Sequence, residues 1–68
     1  MEKDWVKIYS SPKVIKAEMV KSLLQENGIQ AVLLNKQDSS LIIGEAEVYV
    51  KQEDVLKATH LIKNAFDA

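Results

Sequence analysis

The sequence predicts an α+β domain, a three-stranded sheet carrying two helices on one of its faces, and three observations lead there. Apolar and polar residues alternate singly over 5–9 and 46–50, the period of a strand with two unlike faces. Over 13–27 and again after 53 the apolar residues recur at three- and four-residue spacing, the period of an amphipathic helix. The segments follow one another as β-α-β-β-α, with no repeat, linker or low-complexity tract, so residues 1–68 form a single domain.

Trp5-Val6-Lys7-Ile8-Tyr9 is rich in aromatic and β-branched residues, and its alternation sets Val6 and Ile8 against Trp5, Lys7 and Tyr9. Ser10-Ser11-Pro12 then changes the period. Ser11 can accept from the first amides of a helix, and Pro12 suits the first helical position, where a missing N–H costs nothing. From Lys13 to Asn27 the apolar residues Val14, Ile15, Ala17, Met19, Val20, Leu23 and Leu24 form the stripe of the first helix, and Gly28 ends it through a left-handed backbone.

Ile29 to Leu34 reads as the second strand, more apolar than the first and harder to phase. The polar segment from Lys36 to Ser40 leads into Leu41, Ile42 and Ile43 ahead of Gly44. Three placements are open to those apolar residues: folded back over the core, lengthening the next strand, or exposed as a contact loop. Ala46-Glu47-Val48-Tyr49-Val50 alternates cleanly, with Ala46, Val48 and Val50 inward. Glu53 and Asp54 suit the positive end of a second helix, whose stripe is Val55, Ala58, Thr59, Leu61, Ile62, Ala65 and Phe66.

A crossover helix makes the first two strands parallel, and the third inserts antiparallel between them, giving the spatial order 1-3-2 with both helices on one face. If Ile29, Ala31 and Leu33 point inward, Val32 and Leu34 join Trp5, Tyr9 and Tyr49 on the uncovered face. Lys7 and Glu47 fall near one another across that face.

At 68 residues a single core is only marginally sufficient. The chain has no cysteine, which removes disulfides and thiolate metal sites and favours a cytoplasmic setting. Apolar residues make up 47% of the chain, enough to fold, in runs far short of the roughly 20 that span a bilayer. Met1 to Asp4 leads into a strand pattern rather than the apolar region of a signal peptide. All nine cations are lysines, against ten acids, for a net charge of −1. Without arginine the chain lacks the planar fork that clamps phosphate and reads bases, so nucleic acid is a remote alternative partner.

The strings Trp-Val-Lys-Ile-Tyr-Ser-Ser-Pro at 5–12, Ala-Glu-Met-Val-Lys-Ser-Leu-Leu at 17–24 and Asn-Gly-Ile-Gln-Ala at 27–31, with Gly44-Glu45, the strand from Ala46 and the acidic Glu53-Asp54, form a recognisable package. It resembles the putative prokaryotic signal-transducing proteins, a small bacterial family of unknown function. The resemblance implies a ferredoxin-like, GlnB-like two-layer fold and a bacterial cytoplasmic setting. It transfers no catalytic residue. The proline usual at the start of the second helix is replaced here by Lys51-Gln52, and nothing corresponds to the nucleotide-contacting loop of true PII proteins, so ATP binding is not inherited.

No catalytic, cofactor or metal constellation stands in the sequence. His60 has Leu56, Lys57, Lys63 and Asn64 as helical neighbours, a poor setting for a general base or a ligand. Ser10, Ser11, Ser39 and Ser40 have capping and turn roles, and isolated Gly28 and Gly44 make no phosphate cradle. The sequence therefore points to a non-enzymatic regulatory or protein-interaction module, with a homodimer as the first partner. Its candidate surface is Trp5, Tyr9, Val32, Leu34 and Tyr49 on the open sheet face, together with Leu41, Ile42 and Ile43. The alternative is a small-ligand sensor with its pocket at a subunit interface.

Overall fold

The computed structural model describes residues 4–36 and 44–66 of the chain. Strand β1 (Trp5–Ser11) leads into helix α1 (Val14–Glu26), strands β2 (Ala31–Asn35) and β3 (Ala46–Lys51), a 3-10 turn at Gln52–Asp54, and helix α2 (Val55–Phe66). β3 lies between the other two strands and antiparallel to both, giving the order β1-β3-β2 and the ferredoxin-like arrangement expected. Leu41, Ile42 and Ile43 lie outside the described residues.

β3 sets the phase of the sheet: Ala46, Val48 and Val50 are fully buried, while Glu47, Tyr49 and Lys51 alternate with them on the other face. In β2, Ala31 stands opposite Val50 and Leu33 opposite Val48, which places Val32 and Leu34 beside Tyr49 and Glu47 on the uncovered face. β1 keeps its alternation only through Lys7. Trp5, Val6 and Lys7 oppose Lys51, Val50 and Tyr49, but the register then shifts so that Tyr9 opposes Val48. Ile8 is the extra residue of a β-bulge.

That bulge corrects the expectation that Tyr9 faces outward. An inserted residue inverts the phase of everything after it, so Tyr9 joins Ile8 on the helix side and packs against the core. Ser10 takes the outward position opposite Glu47, and Ser11 is buried opposite Ala46.

Helix α1 begins at Val14 rather than at Pro12. Ser11 Oγ accepts the Lys13 N–H at 3.1 Å, and the Lys13 carbonyl accepts from the amides of Lys16 and Ala17. At its other end the Ile29 N–H donates to the Leu24 carbonyl at 2.9 Å and the Gly28 N–H to the Gln25 carbonyl at 3.1 Å, with Gly28 at φ 79°. This is a Schellman closure, and its hydrophobic partners Leu24 and Ile29 are both buried in the core.

Ala17, Val20 and Leu24 pack against Ala31, Ala46, Val48, Val50 and Ala58. Ile15 and Met19, counted in the stripe from sequence, lie roughly 160–200° around the helix from Ala17 at ~100° per residue, and both are exposed. In α2 only Ala58 is fully buried; Val55, Leu61 and Ile62 are partly so, and Thr59, Ala65 and Phe66 are exposed. The cause is the narrowness of the sheet. α1 packs on all three strands, while α2 packs chiefly on β1 and β3, and β1 is the last strand on its side. Among the described residues no helix is long and apolar enough to cross a membrane.

Candidate interaction face

The sheet face that neither α1 nor α2 covers is a lattice three strands wide. Trp5 lies beside Lys51; Lys7, Tyr49 and Val32 form the next row; Ser10, Glu47 and Leu34 form the third. Trp5, Val32, Leu34 and Tyr49 are each partly buried by these neighbours. The structure thus brings four of the five sheet residues of the candidate surface together and places Tyr9 on the opposite side.

Polar side chains fix the apolar ones in place. The Tyr49 hydroxyl donates to Glu47 Oε1 at 2.7 Å, and Lys36 Nζ lies 3.1 Å from the same oxygen. Lys7 Nζ is 3.5 Å from Glu47 Oε2, the cross-strand approach read from the sequence. Glu47 is consequently only 12% exposed although it lies on the uncovered face. At the other end Lys51 Nζ is 3.1 Å from Asp4 Oδ2 and 4.9 Å from the centre of the Trp5 ring, a cation–π position.

The electrostatic consequences follow from these contacts. The Tyr49 hydroxyl, then Lys36, hold the Glu47 carboxyl below the usual carboxylate range. Glu47 in turn raises the Tyr49 phenol and the Lys36 ammonium above their ordinary values. The hydrogen bond from Lys51 lowers Asp4. Glu47 is therefore ionised and Lys36 charged at neutral pH. Sequence reasoning found the Lys7–Glu47 approach but missed Lys36, which reaches Glu47 from just beyond the end of β2. It also missed Asp4, which is tied to the far end of β3 by its carbonyl accepting the Gln52 N–H at 2.7 Å.

His60 Nε2 and Asn64 Nδ2 lie 3.0 Å apart on an exposed helix face, with no carboxylate in the pair. Ser11 Oγ is engaged at the start of α1. Among the described residues no group of three His, Cys, Asp or Glu side chains could hold a metal ion.

A family model described as "Putative prokaryotic signal transducing protein" matches residues 5–65, and the chain belongs to that family. No curated protein and no solved structure matches it.

Proposed function

We propose that this member of the signal-transducing family is a non-enzymatic regulatory module of the bacterial cytoplasm that associates reversibly, first of all with a second copy of itself, through the uncovered sheet face. The observation that carries the reading is the pattern along β3 on that face: Glu47, Tyr49, Lys51, an acid and a base either side of an aromatic ring. Two such strands stacked antiparallel set each Glu47 against the other copy's Lys51 and ring upon ring, which is the self-complementarity a two-fold interface requires. Aligned packing of sheet on sheet keeps strand directions near enough for that match.

Size limits the strength. Strands of about six residues at ~3.3 Å per residue, three abreast at ~4.8 Å, give a face of roughly 280 Å². Two faces together cover roughly 560 Å², below the ~1,000 Å² of a stable interface. Association is therefore weak and exchangeable, with a Kd of order 0.1–1 mM, as suits regulation better than permanent assembly. The β1 edge is the poorer route, because its bulge and the outward Lys7 are devices that keep edges from pairing.

Sedimentation velocity of the whole chain tests this. Between about 10 μM and 1 mM the sedimentation coefficient should rise for the native chain, and Leu34→Lys should hold it at the monomer value. A native chain that remains monomeric throughout that range defeats the proposal.

A further inference from the structure

On the other side of the molecule, α1, α2 and the bulge of β1 enclose a groove of about 560 Å³. Its apolar wall is Tyr9, Met19, Ile62 and Phe66, joined by Ile8, and two lysines, Lys16 and Lys63, stand in its lining. Among the described residues no carboxylate lines it and neither lysine forms an ion pair. Beyond Met19 and Phe66 the apolar surface continues along α1 past Leu23, where the charges that appear are the acids Glu18 and Glu26.

The origin of the groove lies in the two departures from regular structure. The bulge at Ile8 turns two consecutive large side chains toward the helices. Helix α2, set over the last strand on its side of the sheet, leaves Phe66 43% exposed and Met19 across from it 52% exposed. Exposed large apolar side chains gathered around a concave surface mark a binding site more often than scattered ones do.

We propose that this groove binds an amphipathic carboxylate, a single alkyl or aryl chain with one anionic head. The charge pattern selects that class: Lys16 and Lys63 in the groove lining attract an anion, and Glu18 and Glu26 on the adjoining surface exclude one, so the head lies by the lysines and the tail runs past Met19 and Phe66. At about 560 Å³ the groove lies within the usual range of small-molecule sites, room for a medium-length chain. This site is separate from the sheet face and stands or falls independently of it.

Monomeric sodium decanoate is the probe, with 1-decanol as its uncharged counterpart, titrated into the full chain and followed by amide and methyl NMR shifts. Decanoate should shift Tyr9, Met19, Ile62 and Phe66 and leave Val32 and Leu34 still. It should bind about tenfold more tightly than decanol, the gain that two exposed ion pairs supply. Lys16→Gln with Lys63→Gln, both on exposed positions, should remove that difference while the decanol shifts persist. Equal binding of acid and alcohol by the native chain overturns the proposal. So does a shift map centred on the sheet face, or protection of the groove amides by a second copy when protein concentration rises without ligand.

Discussion

Leu24 and Leu56 offer the same chemical change at opposite extremes of burial. Leu24 is 0% exposed, the largest of the fully buried side chains, and it packs where α1, β2 and β3 meet; Leu56, at the start of α2, is 86% exposed. Leu24→Ala removes three carbons, about 2.4 kcal/mol of transfer free energy at ~0.8 kcal/mol each, before any cavity is counted. With the cavity, buried Leu→Ala changes cost about 2.7–5 kcal/mol. A 68-residue domain at ~0.05–0.15 kcal/mol per residue holds only about 3–10 kcal/mol, so this one substitution consumes about a quarter of it or more. With an unfolding entropy of ~2.1 cal/mol/K per residue, a loss of about 3 kcal/mol lowers Tm by roughly 20 K. Leu56→Ala should stay within about 0.5 kcal/mol of the native chain. Urea unfolding followed by circular dichroism at 222 nm measures both. If the two variants differ by less than about 1 kcal/mol, the assignment of the core to Leu24, Val20, Val48 and Val50 is wrong.

Two further outcomes follow from the lattice and the helix cap. Because the folded protein lowers the Glu47 pKa, the unfolded chain takes up its proton first as pH falls; the stabilisation is complete above about pH 4.3 and is lost as pH drops through the folded value. Glu47→Gln should therefore melt below the native chain at pH 7, with the two melting curves converging toward pH 3; a constant gap at both pH values would show that the carboxylate charge contributes nothing. Gly28 has φ 79° and a Cβ added there would meet nothing within 4 Å, so Gly28→Ala should cost only the backbone strain of about 1–2 kcal/mol, measured by urea unfolding. A larger loss would mean that the Schellman closure itself had opened.

The strand order, the phase of β2 and β3 and the helical termination at Gly28 were legible because each rests on a period or a backbone requirement carried by several residues at once. Val32, Leu34 and Tyr49 came to one face for that reason. Tyr9 did not, since a bulge is one residue long and leaves no mark on the alternation Trp5-Val6-Lys7-Ile8-Tyr9, which is as regular in sequence as that of β3. Ile15, Met19 and Phe66 were misplaced for a different reason: apolar residues on a helix show a stripe, but its buried width depends on how much sheet lies beneath. Lys36 and Asp4 were missed because each lies just outside a strand and acts across to another one.

The bulge and the narrow sheet together tie the two proposed sites to each other. If β1 had kept its pleat, Tyr9 would stand opposite Glu47 on the uncovered face, and the helix side would lose its ring. The face would then be more aromatic and less governed by the Glu47 and Lys51 contacts. Instead, the bulge removes one ring from the sheet surface, leaving Ser10 opposite Glu47, and places that ring beneath α1 and α2. A small domain ordinarily fills such space with core. Here the sheet ends at β1, so α2 has no further strand to pack on, and the space between the helices remains a groove with two lysines in its lining. A wider sheet would close the groove and bury the stripe of α2, so the same narrowness that leaves this fold with a small core leaves it with two separate exposed surfaces.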